Sequence, residues 1–204
     1  MSPRLILASG SPRRRELLQG LGLAFEVRPA DVDESLVGGE DPHDYVLRLA
    51  REKAAWRVAA DELVLAADTM VLLDGELLGK PADAEDARRM LRLIAGREHT
   101  VLTAVAVADG SSDRLESSVE TSSVRIAPLS GEQIDWYVAT GEPLDKAGSY
   151  AIQDLGALLV ESVSGNYTNV VGLPLPTVYR LFVGLGHDLR LWMGTADSGS
   201  EQSR

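Results

Sequence analysis

Four apolar residues, Leu5-Ile6-Leu7-Ala8, sit between Arg4 and Ser9-Gly10, the pattern of a short buried strand. The period then changes. Ser11 suits a helix cap, Pro12 suits the first helical position, and Leu17, Leu18 and Leu21 form an apolar stripe ended by Gly20 or Gly22. Residues 42–60 predict a second helix, opening at Asp41-Pro42, with Val46, Leu49, Ala50 and Ala54 at helical spacing. Residues 63–67 predict a second buried strand, closed by Asp68. Residues 70–73 and 76–78 flank Asp74-Gly75, a hairpin signal.

Asp83 opens a third predicted helix that reaches residue 95 and stops at Gly96. Residues 101–108 and 115–126 predict two long strands joined near Asp109-Gly110. Ser130-Gly131-Glu132-Gln133 has the form of a capping box for a fourth helix ending at Gly141. A loop over 142–156, a strand over 158–163 and a last helix over 174–183 follow. Beyond Met193 the residues are mostly Gly, Ser, Asp and Glu, so 194–204 is expected to be a disordered tail on a single domain of 1–193. A mixture of βα units and long antiparallel strands predicts a mixed α/β or α+β fold.

With 204 residues the chain can form one large domain or two small lobes around a cleft. Hydrophobic residues at 45% and charged residues at 25% describe a globular protein, not a disordered one. No apolar run approaches the ~18 residues of a membrane span, and the first is too short for a signal peptide. The absence of cysteine removes disulfides, thiolate metal sites and cysteine nucleophiles together, and the cytoplasm is the expected compartment. Asn166-Tyr167-Thr168 matches a glycosylation sequon, which carries no weight without export. A net charge of −11 repels nucleic-acid polymers and anionic membranes, so neither is an expected partner.

Against that negative total, the placement of the cations is informative. Arg13, Arg14 and Arg15 fill the first turn of a helix, where the backbone already carries partial positive charge. Such a turn suits an anion held by backbone N–H groups, the Ser9 and Ser11 hydroxyls and guanidinium forks; the competing view is a solvated basic turn. It is not a Walker A loop, since the Gly-Lys-Ser/Thr ending is absent. Lys53 falls on the same stripe as Val46, Leu49 and Ala50, so its amine either extends to water or meets an anion. Asp68, at a strand end, could hold a divalent metal, accept a proton from water, or simply form a turn. Lys80 lies in the rigid turn Gly79-Lys80-Pro81. The mixed-charge stretch 141–148, with Tyr150 and Gln153 after it, could form a lid or a wall that reads a base. His99 has no partner at metal spacing and is read as structural.

Taken together, five ordered stretches resemble the Maf family of septum-formation-inhibitor-like nucleoside triphosphate pyrophosphatases. They are LILASGSPRRRELL at 5–18, LAADTMVLLDGELLGKP at 65–81, HTVLTAVAV at 99–107, GEPLDKAGSYAIQ at 141–153 and NYTNVVGLPL at 166–175. The resemblance implies a mixed sheet with long antiparallel strands and flanking helices in two lobes around a central cleft, as in Maf and inosine-triphosphatase folds. It implies hydrolysis of a nucleoside triphosphate between the α- and β-phosphates, aided by Mg²⁺ or Mn²⁺, and a homodimer. By resemblance Asp68 is the proton acceptor that activates water, working with Lys53 and Lys80. Ser9 and Arg14 match phosphate contacts, and Glu34 matches an acidic position that joins Asp68 in holding the metal. Arg13, Thr69 and Gln153 resemble the base-reading set of the branch acting on dTTP and UTP; the branch acting on 7-methyl-GTP typically has Trp in place of Arg13. Asp154 departs from the family pattern, which has Gly there, and is expected to disturb the base pocket. Two alternatives accompany this reading: a protein-binding regulator of septum formation with incidental hydrolysis, and a purine pyrophosphatase acting on ITP or XTP.

Overall fold

The structure, a computed structural model, describes residues 3–194. Strand β1 (Arg4–Leu7) pairs in parallel with both β2 (Glu26–Val27) and β3 (Glu62–Leu73). β3 turns through Asp74 and Gly75, whose φ values of 51° and 86° suit a tight primed hairpin, into β4 (Glu76–Leu78). β5 (Glu98–Asp109) and β6 (Arg114–Ile126) lie antiparallel beside β3, and β7 (Val160–Ser164) closes that edge. The strand order is β2-β1-β3-β5-β6-β7, with β4 paired to β3 alone. The sheet is therefore mixed, with long antiparallel central strands, as the sequence patterns imply.

Strand alternation decides which helix covers which face. Leu5, Leu7, Leu63 and Leu65 point to one face and pack against Leu18 of α1 (Pro12–Gly20) and Val178 and Phe182 of α6 (Leu175–Gly184). Ile6, Val64 and Ala66 point to the other and meet Val46, Leu49 and Ala50 of α2 (Pro42–Ala55). Farther along β3, Val71 and Leu73 have the parity of Leu63 and Leu65. They pack against Met90 and Leu91 of α3 (Ala84–Ile94) and Ile134 and Tyr137 of α4 (Gly131–Ala139). Thus two apolar clusters occupy the same face of one strand, and Thr69 lies between them. The caps form as expected: Asp83 accepts from Glu85 and Asp86 N–H groups, and Ser130 and Gln133 make the capping box.

One correction matters most. Residues 63–67 and 70–73 are a single strand, so Asp68 does not close a strand but sits in the middle of β3. β1 pairs with β3 only as far as Leu65, and the pairing of β3 with β4 begins at Val71. Between them, on the side away from β5, β3 has no strand neighbour, and the sheet opens there.

Other differences are local. α2 ends at Ala55 rather than residue 60, because Trp56 turns extended and Arg57, at φ 53°, folds its guanidinium onto the Trp56 ring 4.4 Å away. Leu21 lies beyond α1 and is exposed, leaving Leu18 as the buried member of that stripe. β7 starts at Val160, since 154–159 forms 3-10 turns. The sequon asparagine is a helix cap: Asn166 Oδ1 accepts from Thr168 and Asn169 N–H groups to open α5 (Tyr167–Val171), an element the patterns did not predict. In the expected tail, Gly194 N–H donates to the Gly22 carbonyl at 3.0 Å; residues 195–204 lie outside those described. Among the described residues no helix is long and apolar enough to cross a membrane.

Candidate active site

A cleft of about 510 Å³ occupies the break beside β3. The nine residues to which the family resemblance gives a catalytic, phosphate, base or metal role all line it: Ser9, Arg13, Arg14, Glu34, Lys53, Asp68, Thr69, Lys80 and Gln153. Five cationic and three carboxylate side chains contribute to the wall, in a chain whose net charge is −11. The cleft thus concentrates positive charge that the rest of the surface lacks.

Lys53 reaches in from the apolar stripe of α2. Its Nζ lies 2.7 Å from Asp68 Oδ1 and 2.7 Å from Glu34 Oε1, so of the two outcomes open to it, it meets anions. The Lys53 and Asp68 side chains are each 11% exposed, whereas Glu34 is 61% exposed. Among the described residues Asp68 Oδ2 has no hydrogen-bond partner, which leaves it available to a ligand. Tyr45, one and two turns before Leu49 and Lys53 on the same stripe, donates its hydroxyl to the Glu34 carbonyl at 2.7 Å. Burial, then the charges of Asp68 and Glu34, raise the Tyr45 phenol above its ordinary range and keep it a donor. No motif assigned Tyr45 a role, although the helical period placed it on the right face.

Arg14 is turned inward and largely committed. Its Nε donates to the Gly172 carbonyl at 2.8 Å. Nη1 donates to the Ala67 carbonyl at 2.7 Å and to Ser9 Oγ at 3.0 Å, and Nη2 to Thr69 Oγ1 at 3.0 Å. The Ala67 carbonyl is one that β3 leaves unpaired at the break, so the guanidinium replaces a missing strand. Four of its five N–H donors are thereby engaged, leaving one for a phosphate. Burial lowers the guanidinium below its ordinary value, only partly opposed by Asp68. Thr103 donates to the Asn169 carbonyl at 3.0 Å, so its oxygen accepts the Thr69 proton at 3.0 Å, and the Thr69 lone pairs face Arg14. The Ser11 side chain makes no cap bond, and its N–H donates to Ser9 Oγ at 3.3 Å. Ser9 therefore accepts twice and keeps its own proton for a ligand.

The opposite wall comes from the 3-10 turns after α4. Arg13 Nη1 lies 3.4 Å from Asp145 Oδ2 across the cleft, and Lys146 Nζ lies 2.7 Å from Asp145 Oδ1. Burial pushes the Asp145 carboxyl up, but bonds and charge from Lys146 and Arg13 outweigh it and hold it below the usual range. Lys80 is exposed and forms no ion pair among the described residues; its loop is tied to this wall by Gly148 N–H on the Gly79 carbonyl at 3.1 Å. Gln153 lines the cleft, and among the described residues its amide makes no hydrogen bond. Asp154, by contrast, is exposed and absent from the lining; with φ 55° it occupies a left-handed position, so it turns away from the pocket it was expected to disturb. His99 is structural, as read: it is buried within β5 against the Tyr150 hydroxyl, 2.7 Å away.

The donor set suits a hard divalent cation. Among the described residues no group of three or more His, Asp or Glu could hold a metal unaided. Asp68 and Glu34, however, already bring oxygens within 2.7 Å of one positive charge, and a Mg²⁺-type ion commonly takes one or two carboxylates plus substrate phosphates.

Fold and cleft together define a mixed α/β protein with a cation-rich cleft at a break in its sheet. The chain belongs to the Maf-like protein family, whose model matches residues 4–185. It is 58% identical over 192 residues to a protein of Anaeromyxobacter dehalogenans named dTTP/UTP pyrophosphatase, covering 93% of this chain and 97% of that one. Relatives with the same name in Chromobacterium violaceum and Symbiobacterium thermophilum are 49% and 48% identical, each over 91% of this chain and 96% of theirs.

Proposed function

We propose that this protein hydrolyses dTTP and UTP to the monophosphate and pyrophosphate. The observation that carries this is the convergence of Asp68, Lys53, Lys80, Arg14 and Ser9, drawn from distant segments, on one cleft. The shared name of relatives identical at 48–58% over nearly their whole length supports the choice of bases.

In the proposed reaction the Oδ2 side of Asp68 accepts a proton from water as the water oxygen adds to the α-phosphorus. The bond to the bridging oxygen breaks, and that oxygen leaves with pyrophosphate. Lys80, the Ser9 hydroxyl proton and the remaining Arg14 N–H stabilise the charge gathering on the phosphates. Lys53 orients Asp68 through Oδ1 and keeps the carboxylate aimed. A divalent cation held by Asp68 and Glu34, with the substrate's oxygens, would neutralise phosphate charge. Arg13, Thr69 and Gln153 line the same cleft; we assign them to the base, and the Gln153 amide offers both donor and acceptor to a pyrimidine edge. A triphosphate substrate also means a place of action in the nucleotide pool of the cytoplasm.

Purified protein incubated with dTTP, UTP, CTP, GTP, ITP and XTP, with Mg²⁺ or Mn²⁺, should release pyrophosphate fastest from the first two. Release from none would end the enzymatic proposal. Preference for ITP or XTP would replace its pyrimidine part.

A further inference from the structure

Gln153 has no side-chain bond of its own among the described residues, so its position depends on its backbone. That backbone is fastened at both ends by two residues outside the cleft lining. The Tyr137 hydroxyl accepts from Ala151 N–H at 3.2 Å and donates to Glu142 Oε1 at 2.8 Å. The Glu142 carboxylate also accepts from Gly156 N–H at 2.8 Å and Leu155 N–H at 3.1 Å. Gly156 shows how close the fit is: a Cβ there would stand 2.6 Å from the Tyr137 hydroxyl and 2.3 Å from the Ala151 carbonyl. Tyr137 is fully buried in the cluster under α3 and α4, which makes it a fixed post.

We infer that Tyr137 and Glu142 are positioning residues for base selection: by pinning residues 151–156 at both ends they fix the height of the Gln153 amide in the cleft wall. The inference rests on the proposed pyrimidine triphosphatase activity. The phosphate end of the cleft is built on the Ser9 turn with α1, on α2 and β3, and on the Gly79-Lys80 turn after β4, and none of the staple's side-chain bonds reaches these segments. Loosening the staple therefore changes which base is accepted and how tightly, while the chemical step at saturating substrate is kept.

The test compares Tyr137→Phe and Glu142→Gln with the parent protein, alone and combined with Gln153→Ala, on UTP and CTP. In each single variant KM for UTP should rise roughly tenfold and the UTP-to-CTP ratio of kcat/KM should fall as far, with kcat within about threefold. In the Gln153→Ala background, neither substitution should lower the ratio further. An unchanged ratio in either folded variant, or a loss that simply adds to that of Gln153→Ala, overturns the inference. Tyr137→Phe keeps the buried ring, so a failure of Glu142→Gln to fold leaves the question answerable. If the parent protein itself hydrolyses neither UTP nor dTTP, the functional proposal fails instead, and the two failures are distinct.

Discussion

Lys53 and Asp68, fifteen residues apart, meet at 2.7 Å where α2 crosses the open flank of β3. Each is 11% exposed; Lys53 is the cation paired with Asp68, and its ammonium also meets the more exposed Glu34 at 2.7 Å. Lys53→Ala should therefore cost both stability and activity. Leaving a mostly buried carboxylate without its partner is worth roughly 1–3 kcal/mol here, below the range for fully buried pairs because the cleft admits water. That predicts a drop of about 3–10 °C in Tm, readable by thermal unfolding. An unchanged Tm together with unchanged kcat and KM would mean the ammonium extends to solvent.

Asp68→Asn separates the base from the pair. The amide is nearly isosteric and can still accept from Lys53, so the fold should survive. Loss of a general base typically removes about 10²–10⁴ of the rate, and pyrophosphate release should fall by that factor at equal UTP. Turnover near that of the parent protein would remove Asp68 from the proposed role.

Arg14→Lys tests a different idea, that this cation is as much a structural tie as a phosphate contact. A lysine cannot reach Gly172, Ala67, Ser9 and Thr69 from one planar fork. With each bond worth about 0.5–1.5 kcal/mol net, a loss of roughly 2 kcal/mol is expected, or about 4–8 °C in Tm. A variant as stable as the parent but deficient in UTP binding would make Arg14 a ligand contact alone.

Asp154 gives a prediction that separates backbone from pocket. Its φ of 55° explains in physical terms why glycine suits this position. Asp154→Gly should relieve strain while adding unfolded-state freedom, leaving stability within about 1 kcal/mol of the parent. Asp154→Val, with its branched Cβ, should lose roughly 1–2 kcal/mol, since left-handed backbone is least tolerated there. Because Asp154 lies off the cleft, the UTP-to-CTP ratio should be unchanged in the glycine variant; a shifted ratio would return its carboxylate to the base pocket.

What could be read from the chain follows from how far each signal reaches. Lys53 was legible because a helical period is local: seven residues after Val46 it had to share that residue's face. The hairpin at Asp74-Gly75 and the caps at Asp83 and Ser130 were legible for the same reason. Asp68 was found but misplaced. The polar pair Asp68-Thr69 interrupts an apolar run, which looks like a strand end, whereas in the fold it is the point where β3 loses a neighbour. Arg13 and Asp145 stand 132 residues apart, and nothing in the pattern of either segment announces their contact. α5, with five residues, and β2, with two, are shorter than the periods by which such elements are recognised. The commitment of Arg14 to backbone carbonyls was invisible too, because those carbonyls are free only once the tertiary gap exists.

His99 carries the pH dependence that can be worked out most directly. Burial lowers its imidazole from 6.5 to about 4, outweighing the opposing charge of Glu98. In the unfolded chain the same ring takes up a proton near pH 6.5; in the folded chain it resists until about 4. Between those values the unfolded state binds more protons, so stability contributed by the neutral ring is complete above about pH 6.5 and drains away as pH falls towards 4. Over that window the loss is roughly 3 kcal/mol, about 1.4 kcal/mol per pH unit. His99→Gln removes the titrating group while leaving a partner for the Tyr150 hydroxyl. Denaturant unfolding of both proteins at pH 7, 5.5 and 4.5 isolates the effect, because the other ionising groups cancel in the difference. The stability advantage of the parent over the variant should shrink at each step down in pH. A difference independent of pH would show that the ring titrates alike in both states, and that the Tyr150 side of the cleft is not held by a neutral His99.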